Sequence, residues 1–439
     1  MNNFSSKIKL KSPQDFGQLS FNFGTFFLAS ALPISGIFYL FAIIISFFKT
    51  KYIFKNIWNI SIVFISGLLI ANTFLFNIQD LKDNLSDFDK SLTWISLFNW
   101  IPLFLVFIYF QIYLKTSYQR KLFSKYLIAG NIPVLVSCIL QHFFKIYGPL
   151  ETMDGLIIFF NKPPVDEGVT GLFSNQNYTG FWLSVSLPLL ISLFNKFKKN
   201  NWKNYTLIIL LFSTSYFIIL STSKNALIGS MTSLLLIFGL KKILSLIAIV
   251  LIFYFIVEFL QFIIPNFKLD LINHLRLNYV MTIFSEANIK NFFDFTRIKI
   301  WSKTIKLIIQ KPLFGYGAAT FPIIFFAISN LKMQHAHNLP LQIAYEYGLP
   351  IAIILSLFIV CLFSKTWLFI FKLKDENQNY FLDKCWLASC LAVILSQLND
   401  ITYYDGKISL LIWILFTGLK SISDNLSFKV KMNNQKVIN

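Results

Sequence analysis

Two histidines stand within three residues of each other, His335 and His337, and an amide follows directly at Asn338, on the edge of an apolar run. Imidazole is the side chain suited to moving a proton near neutral pH. The neighbouring amide can orient either the ring or a substrate. Arg276 and Arg297 belong to the same hydrophilic stretch, and the guanidinium fork matches phosphate oxygens. Among 39 basic residues only three are arginine (Arg120, Arg276 and Arg297), so arginine placement carries information that lysine number does not. A proton acceptor and anion-binding forks in one segment point to chemistry on an anionic substrate. The bland alternative is that hydrophilic segments collect polar residues anyway.

The elements that must hold these groups are apolar. The 439 residues are 56% hydrophobic and 13% charged, with a mean hydropathy of +0.62. A water-soluble chain carries about 25% charged residues; this one has too little polar surface to cover a soluble particle. The net charge of +19 belongs to a lysine-heavy composition and gives no ground for a nucleic-acid partner. Cys138, Cys361, Cys385 and Cys390 lie in apolar runs without metal-type spacing and read as small core residues. No cleavable leader is expected at Lys7, Lys9 and Lys11, because no small-residue cleavage site follows.

Apolar runs at about 17–31, 34–48, 57–77, 94–114, 126–147, 171–195, 205–222, 225–240, 243–264, 338–364, 384–398 and 408–422 predict an all-α polytopic membrane protein with about 12 transmembrane helices. Pro33 marks a tight hairpin between the first two. Lysine and arginine cluster in alternate connections, which the positive-inside rule assigns to the cytoplasm together with both termini. The expected organisation is a transmembrane bundle of about nine helices over 1–264, a basic loop outside the membrane over 265–337, further transmembrane helices over 338–422, and a cytoplasmic tail over 423–439. The loop holds nine basic residues against three acidic ones, and all four histidines face outward in this topology.

Within that loop, 296–311 reads as an amphipathic helix. Trp301, Ile305 and Ile308 form one stripe, and Lys299, Lys303 and Lys306 form another at the same spacing. A helix of this kind lies in the headgroup plane, or else is a plain surface helix. The glycines of Pro312–Gly317 suit a tight turn better than a phosphate loop. Glu346 and Gly348 lie inside the expected 338–364 crossing. Lys224 sits at an outer hairpin (STSKNAL), Asn175 and Asn177 open the crossing at 171, and Asp400 and Asp405 end the penultimate one. Helix capping is the plain reading of the asparagines and of Asp400.

The order GLFSNQNYTG, STSKNAL, TRIKIW with PLFGYG, then HAHNLPLQIAYEYG resembles the O-antigen ligase and polymerase superfamily of bacterial membrane glycosyltransferases, over roughly 170–420. The ligase signature is a histidine, a small polar residue, nine residues, a glycine, two residues, then Gly, Thr or Tyr. His337, Asn338 and Gly348 satisfy it; Ile351 occupies the last position and departs from it.

The resemblance implies a fold of the GT-C class and an inverting glycosyltransferase working without metal or cofactor at the periplasmic face of the bacterial cytoplasmic membrane. Its donor would be an undecaprenyl-diphosphate-linked glycan, and its acceptor a glycolipid or glycan of the lipid A core type. It makes His337 the catalytic residue. Arg297 and Lys224, the latter at a position usually filled by arginine, become diphosphate contacts, with Arg276 a further one. Asn338, His335, Asn177, Glu346 and Asp400 take supporting roles. Polymerases of the superfamily use two basic outer loops, whereas outer loops 78–93 and 148–170 are acidic here, which favours ligation. A polymerase and a small-anion (bicarbonate-type) transporter are the alternatives. Transporters place ionisable residues near the bilayer midplane, and here most sit at the outer boundary.

Overall fold

The computed structural model describes residues 12–50, 55–78, 88–155, 157–163, 168–194, 202–245, 295–373 and 378–438. Most of the expected run at 243–264, together with His274 and Arg276, lies outside the described residues. The described residues build an all-α polytopic membrane protein. In chain order the helices are α1 (Pro13–Phe27), α2 (Leu32–Lys49), α3 (Ile57–Ile78), α4 (Ser91–Ser96), α5 (Ile101–Tyr109), α6 (Gln111–Leu114), α7 (Ser117–Phe144), α8 (Gln176–Ser192), α9 (Trp202–Leu220), α10 (Lys224–Phe238), α11 (Phe295–Gln310), α12 (Phe321–Ser329), α13 (Leu339–Tyr347), α14 (Leu349–Leu373), α15 (Gln378–Asn399) and α16 (Gly406–Ile438). One antiparallel hairpin, β1 (Leu150–Thr152) with β2 (Ile157–Phe159), follows α7.

Among the described residues, seven stretches are long and apolar enough to cross a membrane: α2, α3, α4 through α5, α7, α14, α15 and α16. The apolar stretch of α16 is 89% buried against 22% for α2, so α16 runs through the centre and α2 along the rim. Outward-facing apolar side chains such as Phe48, Phe212 and Leu368 are largely exposed, as expected where lipid is the solvent.

Local chemistry fixes the helix ends. Ser12 caps α1 by accepting from Asp15 N, with Pro13 in the first turn, where a missing N–H costs nothing. Pro33 does the same for α2 after a turn at 28–31, giving the tight hairpin expected there. Thr116 and Gln119 form a reciprocal capping box at the start of α7. Four buried tryptophans, Trp100, Trp182, Trp386 and Trp413, fill the core between helices. Three of their indole N–H groups donate inward: Trp182 to Asn131 Oδ1, Trp386 to Leu415 O and Trp413 to Tyr403 OH, each at 2.8 Å. In a dry interior an unpaired N–H would be costly. Trp386 lies flat over Gly418, where any side chain would collide with the indole.

The structure corrects one expected crossing. Residues 338–364 do not form a single helix: the chain breaks at Gly348 (φ 87°), giving the short α13 and the long α14. That left-handed backbone favours glycine, and a side chain there would strike Leu313 O. The segment after α11 wraps the break. Tyr316 N donates to Tyr345 O (2.7 Å), Gly317 N to Glu346 O (3.0 Å) and Leu349 N to Pro312 O (2.7 Å). From α3, Asn72 Nδ2 reaches Phe314 O and Tyr347 O, each at 3.0 Å. Pro312–Gly317 is thus a clasp on the end of α13. The amides of Gly315, Tyr316 and Gly317 are spent on carbonyls, which agrees with the turn reading.

Candidate active site

The residues ending α15 and starting α13 meet at one end of the bundle. Asp400 directly follows α15, and His337 lies just ahead of α13, whose N-cap is Asn338. Asn338 Oδ1 accepts from Leu341 N (3.0 Å) while its Nδ2 donates to Leu398 O (2.8 Å), so one amide both starts α13 and ties it to the last turn of α15. The chain enters this corner with His337 in the left-handed region (φ 53°), an uncommon state for a residue with a side chain.

His337 Nδ1 lies 2.9 Å from Asp400 Oδ1. Asp400 also accepts from its neighbour Ile401 N (2.9 Å) and, at Oδ2, from Asn177 Nδ2 (3.1 Å). Burial works to raise the Asp400 carboxyl, but the hydrogen bond and charge of His337, then Arg297 and His335, outweigh it and hold the group below the ordinary carboxylate range. An ionised Asp400 takes a proton-bearing Nδ1 from His337, so the neutral form of that ring would carry its lone pair on Nε2. His335 has the opposite tautomer: its Nδ1 accepts from His337 N (3.3 Å), so its proton is on Nε2. The two rings meet edge to face at 4.4 Å. Burial first, then the charge of His337, push the His335 pKa down to about 4, against a smaller upward pull from Asp400. His335 is therefore neutral at pH 7.

Both flanks of the corner carry cations. The charge of Arg297, in the first turn of α11, acts on both Asp400 and His335. Lys224, exposed, begins α10. Its neighbour Asn225 donates from Nδ2 to Ser396 O (3.1 Å), which seats the start of α10 against the last turn of α15. Glu346 lies one layer behind, buried, accepting from Gln342 Nε2 (2.9 Å) and Tyr404 OH (3.2 Å). Gln342 in turn accepts from Ala336 N between the two histidines (2.8 Å). Glu346 thus holds the histidine loop through Gln342 and stands on short α13, outside any long crossing.

Of the residues singled out from the sequence, His335, His337, Asn338, Asn177, Asp400 and Arg297 converge. Lys224 flanks them and Glu346 braces them. Arg276 lies outside the described residues. The capping reading holds for Asn175, which accepts from Asn177 N (2.7 Å), but Asn177 itself reaches Asp400. Gln342, Tyr404, Asn225 and Lys407 were not legible. Buried Lys407 donates to Leu172 O (3.0 Å) and lies over the Phe173 ring, fixing the segment that leads to Asn177. A lysine opening an apolar run was the one available hint. Donor atoms of His335, His337 and Asp400 lie within 4.8 Å of one another, close enough to share an ion. Both Nδ1 atoms are already engaged in hydrogen bonds, so a metal there would have to displace them or use Nε2.

Residues 207–356 match the model of a family described as O-antigen ligase. No curated protein matches the chain. The matched stretch contains Lys224, Arg297 and the His337, Asn338 and Gly348 pattern, and the fold brings His337, Asn338 and Arg297 to one corner of an apolar helical bundle with Lys224 on its flank. Over residues 207–356 the chain is thus similar to the O-antigen ligase family, which supports the resemblance to the O-antigen ligase and polymerase superfamily.

Proposed function

We propose that this protein is a ligase-type glycosyltransferase, moving a glycan from an undecaprenyl-diphosphate carrier onto an acceptor sugar hydroxyl at the outer face of the cytoplasmic membrane. The observation that carries this reading is the His337–Asp400 pair: an imidazole held at Nδ1 by a buried carboxylate, with Nε2 left for a substrate, within the field of Arg297.

The acceptor oxygen attacks the anomeric carbon as the carbon–oxygen bond to the diphosphate breaks. The hydroxyl proton passes to His337 Nε2, and the bond's electron pair leaves with the diphosphate. Attack opposite the leaving group inverts the anomeric centre. Arg297 and Lys224 meet the negative charge that develops on the diphosphate, and Arg276 is a further candidate contact. Lysine keeps charge at position 224 but lacks the guanidinium fork. An apolar cavity of about 180 Å³ lined by Leu339, Pro340, Leu398, Trp100, Val393 and Tyr403 adjoins Asn338 and supports a substrate with an apolar tail.

The test is transfer in vitro from a lipid-diphosphate glycan. His337→Ala is expected to lose about 10²–10⁴-fold in rate, the usual share of a general base. Arg297→Ala is expected to lose both rate and donor affinity. Full transfer by His337→Ala, or uptake of bicarbonate by reconstituted vesicles without any lipid-linked glycan, would overturn the reading. Elongated glycan still on the carrier, with none on a separate acceptor, would instead indicate a polymerase.

A further inference from the structure

Helix α11 carries more cations than the site uses, and the structure sorts them by face. With about 100° per residue, Ile300, Thr304, Leu307 and Ile308 share one side, and these four are buried, at 4% exposure or less. Arg297 belongs to that same side, toward Asp400 and His335. Ile298, Ile305 and Ile309 form a second stripe spanning only about 40°, and they are 45%, 44% and 69% exposed. Lys299, Lys303 and Lys306 form a third stripe beside it; Lys299 and Lys306 are exposed. The lysines therefore point away from the corner that holds the histidines.

The isoleucine stripe does not end with the helix. Leu313 (62% exposed) and Phe314 (48%) extend it, and Leu349 N is bonded to Pro312 O alongside them. Leu349 opens α14, an apolar stretch fit to cross a membrane, whose Ile353, Leu357 and Val360 are more than half exposed. The exposed apolar side of α11 is thus continuous with a surface that faces lipid. A cationic stripe directly beside an apolar one, at the end of a membrane crossing, has the geometry of a helix seated between acyl chains and headgroup phosphates.

We infer that the isoleucine and lysine stripes of α11 dock on anionic phospholipid headgroups, separately from the transfer chemistry that Arg297 serves on the opposite face. The occupant is the bilayer itself: charge complementarity selects anionic headgroups, and continuity with α14 places the stripe at their depth.

The full-length protein is reconstituted in phosphatidylcholine vesicles with and without phosphatidylglycerol, with no glycan present. Amide hydrogen exchange is then followed through residues 297–309. Phosphatidylglycerol is expected to slow exchange there about fivefold, the equivalent of about 1 kcal/mol for one lysine near an anionic surface, and high salt is expected to reverse it. Lys299→Gln/Lys303→Gln/Lys306→Gln is expected to lose the lipid effect, and the corresponding triple arginine variant to keep it. Equal exchange in both vesicles, or a lipid effect that survives the glutamine variant, overturns the inference. Protection by inorganic diphosphate but not by phosphatidylglycerol also overturns it, and assigns the lysines to substrate. None of these readings depends on glycan transfer.

Discussion

Helix α15 begins and ends next to a buried carboxylate, and the two ends are built for opposite purposes. Near its start Asp383 meets Arg120 at 2.8 Å, with side-chain exposures of 10% and 1%. Arg120 Nη1 also donates to Leu114 O and Lys115 O (3.2 Å each) and Nη2 to Ser117 Oγ (3.3 Å). The guanidinium is closed in by fixed acceptors. Seventeen residues on, about 25 Å along a helix, Asp400 meets His337, whose side chain is 28% exposed. There the hydrogen-bonded pair has an accessible face. A buried pair whose every arm is occupied can hold helices together but has nothing left to offer a substrate. The pair left ajar is the one that can do chemistry.

Breaking the closed end gives the largest expected effect. Arg120→Ala strands Asp383 in the interior and is expected to cost about 3–5 kcal/mol of stability, measured by thermal unfolding in lipid nanodiscs. Arg120→Met combined with Asp383→Leu is expected to regain most of it, since a well-packed apolar pair replaces a buried ionic one at little cost. If the double variant stays as unstable as the single, the pair is not a simple brace.

At the open end the loss is expected in rate rather than in stability. Asp400→Asn can donate an amide proton toward Nδ1, which moves the imidazole proton to Nε2 and removes the base. A fall of about 10²-fold in kcat, with KM nearly unchanged, is expected. A melting temperature lowered as far as in Arg120→Ala would make Asp400 a second brace and erase the contrast.

The smallest effect sharpens the comparison by pH. Folding lowers the His335 pKa from 6.5 to about 4, so between those values the unfolded chain binds the extra proton. The stability held by neutral His335 is complete above about pH 6.5 and is lost as pH falls toward 4. His335→Asn keeps an acceptor for His337 N and is expected to flatten that acid limb of the melting curve while leaving the Arg120–Asp383 end unaltered. A limb of unchanged depth in this variant would assign it to other groups.

Much of this protein was legible in one dimension because its causes are local. Apolar runs announce helices for which lipid is the solvent, Pro33 announces a tight hairpin, and His337, Asn338 and Gly348 keep their spacing whatever surrounds them. Even the Lys299, Lys303 and Lys306 stripe of α11 follows from helical periodicity. Periodicity alone, however, grouped Trp301, Ile305 and Ile308 into one apolar stripe without showing which face is covered: Ile308 is buried and Ile305 exposed. The break at Gly348 was hidden inside a continuous apolar run, since its signal is a left-handed backbone clasped by residues 312–317.

What tertiary structure alone decided is partnership. Arg120 finds Asp383 across 263 positions, Asn177 finds Asp400 across 223 and His337 finds it across 63. No local pattern encodes such pairs, because they form only when packed helices bring their ends together. Residue types and spacing thus set which groups could act. Packing decided which carboxylate was sealed against a guanidinium and which was left beside a histidine with a face to offer.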